Sequence, residues 1–259
     1  AIVGRPYVGK STLLNTVCGE KIAIVSNKPQ TTRNRITGIY TKGEDQFVFL
    51  DTPGIHKPRT ALGDYMVKTA NGSIGEADAI LLVIEPVPSV GEIEAGIIEK
   101  IRASKTPAIL VVNKVDEHTP ADIAATIAAY AAAYDFDAVV PISAKSGKGV
   151  DALFEEASKF LYESVWYFPE DAVTDQPERQ IAAEIIREKL LRTLNKEIPH
   201  GTAVVIEEFK EEKNIIRIRA EIFCEKASHK GIIVGKNGAA LKLVGTYARE
   251  DLEKFLGTK

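Results

Sequence analysis

A glycine-rich stretch near the start of the chain decides the fold, and it reads Gly4-Arg5-Pro6-Tyr7-Val8-Gly9-Lys10-Ser11. Its spacing is GxxxxGKS, in which glycines let consecutive backbone N–H groups turn toward an anion. Residues 1–3 before it are apolar and β-prone, and residues 11–17 place apolar side chains on one face of a helix. A loop of this kind between a strand and a helix predicts a phosphate-binding site. In it Lys10 reaches the β and γ phosphates, the Ser11 hydroxyl ligates Mg²⁺ and Thr12 lies beside them.

Strand-like and helical runs alternate along the following part of the chain. Apolar, β-prone runs cover residues 36–41, 46–50, 79–85, 108–113 and 138–142. Helical patterns cover residues 63–71, 93–104, 121–134 and 150–161. Such alternation predicts an α/β fold with a mostly parallel sheet and helices on both faces. Ligands bind these sheets at the carboxyl ends of the strands, which is where we expect the site.

A second motif, Asp51-Thr52-Pro53-Gly54, directly follows the strand-like run 46–50. A carboxylate at that position suits Mg²⁺, which takes few protein ligands and keeps several waters. We therefore expect Asp51 to ligate the metal together with Ser11. The Gly54 N–H is expected to meet the γ phosphate and to release it after hydrolysis. Taken alone, a strand that ends in a polar turn is the simpler explanation, so this assignment depends on the other motifs.

Two further motifs indicate which base accompanies the phosphates, namely Asn113-Lys114-Val115-Asp116 and Ser143-Ala144-Lys145. Asp116 can accept hydrogen bonds from N1–H and the 2-amino group of guanine, a pair of donors that adenine does not offer. Asn113 can bond O6 and N7, Lys114 can lie along the base, and the Ala144 N–H can approach O6. An ordinary turn with an Asx cap would explain the first of these motifs in isolation. The ordered set of four motifs predicts guanine nucleotide, GTP or GDP.

Residues 26–33 form a polar loop without periodicity. A loop facing the γ phosphate can supply a second hydroxyl to the metal, and we predict Thr32 for this role, with Thr31 as the alternative. A solvated loop with a routine pair of threonines is the competing explanation.

The residue after the second motif bears on the rate of GTP hydrolysis to GDP and phosphate. Hydrolysis needs a water in line with the γ phosphate and neutralisation of the growing charge. Ile55 stands where Ras-like enzymes carry the glutamine that places this water. Because isoleucine cannot orient water, we predict slow intrinsic turnover, with Lys10, Thr32 and Gly54 as the catalytic groups.

Charge is distributed unevenly along the chain. The formal net charge is −3, yet residues 175–259 hold 16 Lys and Arg against 14 Asp and Glu. Residues 226–249 contain five basic residues and no acidic ones. A one-signed stretch predicts contact with phosphates of a nucleic acid, although a basic solvated helix face is the alternative.

The C-terminal third predicts a small α+β domain. Residues 179–194 have an amphipathic helical pattern, and residues 203–209 and 214–224 alternate as two antiparallel strands around a turn at 210–213. Gly235-Lys236-Asn237-Gly238 then joins two short helical stretches. Glycines at a GxxG turn let the backbone clamp a nucleic-acid strand while a neighbouring groove reads its bases. The predicted RNA contacts are Lys226, Lys230, Gly231, Ile232, Ile233, Val234, Gly235, Lys236, Asn237, Gly238 and Lys242.

These features together resemble the Era family of bacterial GTPases. The resemblance rests on the order of the motifs, on Gln30-Thr31-Thr32-Arg33, on the segment from Pro169-Glu170-Asp171 to Pro177-Glu178-Arg179, and on residues 231–238. It implies a Ras-like P-loop GTPase domain at 1–166, a linker at 167–177 and a type II K homology (KH) domain at 178–259. It further implies binding of single-stranded RNA from the 3′ region of 16S ribosomal RNA, and assistance in 30S subunit assembly.

The resemblance also carries expectations on location and state. It implies a monomer in the cytoplasm, with peripheral association at the inner membrane. Two features depart from the family. Tyr7 stands where asparagine is common, and in relatives that asparagine helps to hold an activating K⁺, so Tyr7 speaks against K⁺ stimulation here. We also expect the C-terminal strand of the KH sheet, which should follow residue 257, to be missing.

Composition is that of a cytosolic protein with more than one domain. The chain has 259 residues and two cysteines, which sit in different predicted domains and are expected to be reduced thiols. Two rival functions remain open at this point. One is a signalling or trafficking GTPase whose C-terminal domain binds protein, and the other is a nucleic-acid-binding module whose nucleotide pocket is vestigial.

Overall fold

The computed structural model describes residues 1–28, 30–194 and 201–259. By its internal contacts the chain divides into two units, the first made of residues 1–22 and 32–175 and the second of residues 23–31 and 176–259. This division differs from the sequence prediction in two places. Residues 23–31 belong to the second unit, and most of the predicted linker 167–177 belongs to the first. Among the described residues, no helix combines the length and apolar character needed to cross a membrane.

The first unit alternates strands and helices as the sequence predicts. Its strands are β1 (Ile2–Val3), β2 (Ile36–Lys42), β3 (Asp45–Asp51), β4 (Ile80–Ile84), β5 (Ala108–Val112) and β6 (Ala138–Pro141). Its helices are α1 (Lys10–Cys18), α2 (Ala61–Glu76), α3 (Glu92–Ser104), α4 (Pro120–Ala133) and α5 (Val150–Ser158). Helix α2 begins two residues before the predicted 63–71, where Thr60 caps it by accepting from the Gly63 N–H at 3.1 Å, and it continues past residue 71 to Glu76.

The six strands form one sheet in the order β2-β3-β1-β4-β5-β6. Strand β2 runs antiparallel to β3, and the remaining pairs are parallel. The central strands β4 and β5 are buried along their whole length, which explains their unbroken apolar sequences. Because parallel strands present their carboxyl ends at one edge, the four predicted nucleotide motifs all lie on loops at that edge.

Apolar packing covers the sheet with helices. Helices α2, α3 and α4 share a buried cluster with β1, β4 and β5, to which Ile97, Ile101 and Leu110 contribute fully buried side chains. From helix α5, Phe154 packs on Tyr40, with ring centroids 4.5 Å apart, and also on Phe47. The sheet that carries the motifs is therefore a rigid support.

The segment after α5 is hydrogen-bonded to the edge of this sheet. The Ile39 N–H of edge strand β2 donates to the Val173 carbonyl at 2.8 Å, and the Thr174 hydroxyl donates to the Thr37 carbonyl at 2.6 Å. The Trp166 indole N–H donates to the Glu44 carbonyl at 2.9 Å. These bonds satisfy backbone groups that an edge strand otherwise leaves unpaired, and they explain why residues up to 175 belong to the first unit.

The second unit contains helices α6 (Glu178–Thr193), α7 (Ala227–Val234) and α8 (Ala239–Leu256) and the hairpin of β7 (Thr202–Glu212) and β8 (Ile215–Cys224). The predicted turn at 210–213 is wrong: β7 continues to Glu212, which pairs with Ile215. The turn therefore consists of residues 213 and 214 only, and two residues is the commonest length of a β-hairpin loop.

Two buried clusters hold the second unit together. One joins Ile181 and Ile185 of α6 to Ile206 of β7 and Leu252 of α8. The other joins Leu190 and Leu194 to Ile233 of α7 and Val244 of α8. Among the described residues its sheet has two strands, and the Ile216 N–H of β8 donates to the carbonyl of Lys259 at 2.6 Å.

Candidate functional site

The glycine-rich loop, residues 4–9, connects β1 to α1, which begins at Lys10, as the GxxxxGKS spacing predicts. Gly9 precedes the first residue of α1 with a φ of 96°, in the left-handed region that favours glycine. A Cβ at this position would overlap the side-chain nitrogen of Asn113. The loop thus delivers the free N–H groups of a helix N-terminus to an anion, with no side chain in the way.

Lys10 is buried inside this loop. Its ammonium donates to the Arg5 carbonyl at 2.8 Å and to the Gly4 carbonyl at 3.3 Å. Burial lowers the pKa of Lys10 to about 8, while the nearby Asp51 acts in the opposite direction. At neutral pH the group therefore stays charged. A phosphate that replaced the two carbonyls would compensate its buried charge better than they do.

Ser11, Thr32 and Asp51 come together beside Lys10. The Ser11 hydroxyl donates to Asp51 Oδ2 at 2.6 Å and lies 2.9 Å from the Thr32 hydroxyl. Asp51 is fully buried, and its Oδ1 has no hydrogen-bond partner. Burial raises the pKa of Asp51 to about 6, against the opposing effects of Lys10 and the Ser11 hydroxyl.

This cluster fits a Mg²⁺ ion. It brings two hydroxyl oxygens and a carboxylate with a spare oxygen into one place, and hard oxygen ligands are those that Mg²⁺ prefers. A buried carboxylate oxygen without a partner is costly unless a cation or proton meets it. The hydroxyl of the alternative ligand, Thr31, is hydrogen-bonded to other groups: it lies 2.8 Å from the Ser26 hydroxyl and donates to the Lys28 carbonyl. The geometry favours Thr32.

The second motif passes directly under the glycine-rich loop. The Thr52 hydroxyl donates to the Ile2 carbonyl at 2.8 Å, and the Ile55 N–H donates to the Gly4 carbonyl at 3.1 Å. The Ile55 side chain is only 6% exposed and belongs to the core cluster of the sheet. It therefore occupies the protein interior, where it can neither bond nor orient a water. The ring Nδ1 of His56 lies 2.8 Å from the Gly54 carbonyl.

Asn113 connects three of the motifs. Its side-chain amide donates to the Val8 carbonyl at 2.7 Å, and its Oδ1 accepts from the Ala144 N–H at 2.9 Å. The Oδ1 of Asn113 and the Ala144 N–H thus satisfy each other, and the buried Asn113 braces the loops. Their bonds to guanine, and the selection of the base by Asp116, stay predictions.

Asp116 lies in a short 3₁₀ turn, Val115–Glu117, after β5. A hydrogen bond from the Ser143 side chain is the main cause that lowers the pKa of Asp116, and the charge of Lys145 contributes. The carboxylate is therefore ionised and oriented at neutral pH, as acceptance from two guanine donors requires. Lys114 has a left-handed backbone, with φ 63°, and its ammonium pairs with Glu85.

The second predicted site lies where α7 meets α8. Gly235 ends α7 with φ 73° and ψ 175°, and a Cβ there would lie 2.7 Å from that of Ala240. Residues 236–238 form a single 3₁₀ turn, and α8 begins at Ala239. The turn thus needs glycine at Gly235 and exposes the first N–H groups of an 18-residue helix.

Exposed residues surround this turn. Lys226, Lys230, Lys236 and Lys242 are all exposed, and Ile232 is 52% exposed. We call these residues, with 235–238, the GxxG surface. Ile233, another predicted RNA contact, is 4% exposed and packs in the core with α6 and α8, and it also lines the groove beside this surface. Val234 is half-buried.

A groove of about 920 Å³ runs along β8 beside the GxxG surface. Residues from β8, α7 and α8 line it, including Lys230, Val234, Leu241 and Arg249. It combines an apolar floor with charged residues of both signs, since Glu208, Glu221 and Glu253 line it as well.

Comparison with known proteins shows to which family this chain belongs. A family model described as 50S ribosome-binding GTPase matches residues 1–114, and a model described as KH domain matches residues 197–259. GTPase Era of Ruminiclostridium cellulolyticum is 50% identical over 100% of this chain and 87% of its own length. GTPase Era of Clostridioides difficile is 52% identical, over 100% of this chain and 88% of its own length. The chain belongs to the Era family of GTPases.

Solved structures of Era agree with this assignment. Era in complex with MgGDPNP and nucleotides 1506–1542 of 16S ribosomal RNA is 40% identical, with a TM-score of 0.94 over 99% of this chain and 88% of that chain. An Aquifex aeolicus Era variant bound to GDP·AlF₄⁻ is 39% identical over the same shares, also with a TM-score of 0.94. The chain is therefore a GTPase with a Ras-like domain followed by a KH domain, as its sequence predicts.

Tyr7 is the residue of the glycine-rich loop for which the family resemblance predicts asparagine. It has a φ of 70° and is 47% exposed. Asparagine, which the resemblance places at this position, tolerates the left-handed region far better than tyrosine. K⁺ stimulation, which the resemblance implies and Tyr7 speaks against, stays a matter for experiment. Tyr7 keeps the left-handed backbone conformation that suits asparagine.

Some contacts of the site have no clear signal in the sequence. The Thr16 hydroxyl of α1 donates to the Ala144 carbonyl at 2.7 Å and ties the base-binding loop to the phosphate-binding helix. Glu94 of α3, which is buried, faces Arg5 at 3.5 Å. Both residues lie within ordinary helical patterns, so only the fold brings them to the loops.

Proposed function

We propose that this GTPase is a guanine-nucleotide switch that binds the 3′ region of 16S ribosomal RNA through its KH domain and assists assembly of the 30S subunit. The observation that carries the proposal is the presence in one chain of a Ser11–Thr32–Asp51 cluster and a GxxG surface. The first can sense a γ phosphate through the metal, and the second can hold a nucleic-acid strand.

For the nucleotide half, Ser11, Thr32 and Asp51 would hold Mg²⁺, which neutralises charge on the phosphates when bound. Lys10 would bind the β and γ oxygens and stabilise the charge that grows on them. The Gly54 N–H would contact the γ phosphate, while Asp116 selects guanine. With Ile55 in the core, no side chain at that position places the water, which supports slow intrinsic turnover.

For the RNA half, the exposed lysines of the GxxG surface would pair with phosphates, and Ile232 would contact bases. Support comes from the relative at 40% identity whose solved complex contains nucleotides 1506–1542 of 16S ribosomal RNA. Monomeric state, cytoplasmic location and peripheral membrane association stay predictions from the family resemblance.

RNA affinity in two nucleotide states tests both halves and their coupling. A fluorescent RNA of nucleotides 1506–1542 is titrated with the protein bound to Mg²⁺ and either a non-hydrolysable GTP analogue or GDP, at one salt concentration. We expect tighter binding in the GTP state, by roughly 5-fold or more, which is the usual size of such coupling. Reciprocity requires the RNA to tighten the GTP analogue by the same factor.

The control is the double variant Gly235→Asp, Gly238→Asp, which places two carboxylates at the turn. It should lose RNA affinity in both states and keep guanine-nucleotide affinity. Equal RNA affinity of the wild type in the two nucleotide states would disprove the proposed switch. Unchanged RNA affinity of the double variant would disprove RNA binding by the GxxG surface and favour a C-terminal domain that binds protein.

A further inference from the structure

Helix α6 of the second unit holds the start of the segment 23–31. The Val25 N–H donates to Glu188 at 3.0 Å, and the Arg192 guanidinium donates to the Val25 carbonyl at 2.7 Å. Arg192 also donates to Glu188 at 3.1 Å, so the two helix residues support each other. Because Glu188 is fully buried, this contact belongs to the interior of the unit.

The same helix holds the end of the segment through Arg187. Its guanidinium donates to the carbonyls of Gln30, at 3.4 Å, and Thr31. Glu184, one turn earlier on α6, accepts from the Arg187 Nε at 2.8 Å and orients the planar group. Arg187 is only 2% exposed, so its charge is directed at these acceptors.

Bonds inside the segment fix its shape between the two anchored ends. The hydroxyls of Ser26 and Thr31 lie 2.8 Å apart, the Lys28 N–H donates to Ser26 at 3.1 Å, and the Thr31 hydroxyl donates to the Lys28 carbonyl at 2.6 Å. Gln30 adopts a left-handed backbone, with φ 59°. Residue 29 lies outside the described part of the chain.

We propose that Arg187 is a positioning residue for GTP hydrolysis, which acts by fixing the Thr31 carbonyl and hence the place of the next residue, Thr32. One peptide bond joins Thr31 to Thr32, whose hydroxyl lies 2.9 Å from that of Ser11 in the metal cluster. A peptide plane held by a guanidinium at its carbonyl has little freedom to turn. The inference rests on the proposed role of Thr32 as a metal ligand.

The assignment makes helix α6 a part of the apparatus that positions Thr32. The hydroxyl that meets the metal is presented by a loop whose conformation is set on α6. If the bonds between α6 and residues 23–31 break, Thr32 is no longer held in place. Conversely, binding of Thr32 to the metal should stabilise those bonds. A purely structural Arg187 would instead contribute to unfolding free energy alone and leave metal affinity unchanged.

A double-mutant cycle on the full chain separates these roles. Single-turnover GTP hydrolysis is measured against Mg²⁺ concentration for the wild type, Arg187→Ala, Thr32→Ala and the double variant. We expect Arg187→Ala to lower the rate constant and to raise the half-saturating Mg²⁺ concentration, each about tenfold, as loss of a charged hydrogen bond predicts. In the Thr32→Ala background, Arg187→Ala should add no further effect.

Two further variants complete the test. Arg187→Lys keeps the charge but not the planar fork, and should give an intermediate Mg²⁺ requirement. Arg217→Ala is the matched control, because Arg217 pairs with Glu212 near the hairpin tip, and it should behave as wild type. If Arg187→Ala does not fold, as judged by circular dichroism, Arg187→Lys takes its place in the cycle.

The outcomes are distinct. A wild-type Mg²⁺ requirement and rate for Arg187→Ala, or additive losses in the Thr32→Ala background, would overturn the positioning role. An unchanged Mg²⁺ requirement for Thr32→Ala would instead overturn the proposed metal ligand, and with it the premise of the inference.

Discussion

The nucleotide pocket of the first unit and the GxxG surface of the second are built in opposite ways. Lys10, Asp51 and Asn113 are at most 6% exposed, and each forms a hydrogen bond inside the pocket. On the GxxG surface the lysines are exposed, and the conformation depends on glycine backbone angles. A buried network fixes one ligand strictly, because every unmade bond is costly, whereas exposed cations hold many strands weakly and with salt dependence.

The largest effect is expected when the pocket loses its buried charge. Lys10→Ala should lower the rate of single-turnover GTP hydrolysis by about a hundredfold to a thousandfold, because it removes a preorganised group that stabilises transition-state charge. Lys159→Ala is the control, since this exposed lysine pairs with Glu156 on α5. A loss of less than about tenfold would mean that backbone N–H groups carry most of the stabilisation.

Neighbouring isoleucines on α7 sharpen the contrast within the second unit. Ile233→Ala removes a buried side chain and should lower the free energy of unfolding by about 2–4 kcal/mol in urea titrations. Ile232→Ala, at a residue that is 52% exposed, should change it by less than about 0.5 kcal/mol while weakening RNA binding. Similar stability losses for the two variants would contradict the burial that separates them.

Asp51 makes the stability of the protein depend on pH. Its pKa is raised from 3.8 to about 6, so between these values the folded state binds more protons than the unfolded state. Stability of the protein without nucleotide and Mg²⁺ should therefore fall as pH rises from 4 to 6, by about 1–3 kcal/mol. Asp51→Asn should remove that dependence and be the more stable protein at pH 7. Adding Mg²⁺ should stabilise the wild type alone, and an equal response of the variant would disprove the metal site.

The smallest effect concerns Tyr7, the exposed exception within the pocket. Tyr7→Asn should stabilise the protein by roughly 1 kcal/mol, because asparagine adopts a positive φ at lower cost. Hydrolysis by the wild type should be equal in K⁺ and Na⁺. Faster hydrolysis in K⁺ by the Tyr7→Asn variant alone would show that Tyr7 prevents K⁺ stimulation. K⁺ stimulation of the wild type would contradict the prediction.

Short motifs and periodicity were sufficient to predict most of the fold and which loops meet at the carboxyl edge of the sheet. Lys10, Ser11, Asp51 and Asp116 lie at that edge, because each motif is at or just after the carboxyl end of a strand. Bonds between distant loops could not be predicted, such as those of Asn113, since donors and acceptors of that kind occur throughout any sequence. The core packing of Ile233 could not be predicted for a related reason: three consecutive apolar residues do not reveal which one faces the core.

Residues 23–31 were the hardest to predict. The sequence places them in the middle of the first unit, yet Arg187 and Arg192 of α6, more than 150 residues away, bond their carbonyls. Backbone acceptors carry no residue-specific signal, so neither composition nor spacing could reveal them.

The segment that bonds to edge strand β2, residues 173–174, affects how the first unit behaves when it is produced as a fragment. A fragment that stopped at residue 165 would lack Val173 and Thr174 and would leave the Ile39 N–H and the Thr37 carbonyl bare. Bare strand edges pair with each other, so such a fragment should self-associate and precipitate, whereas one that continues to residue 175 should remain dispersed.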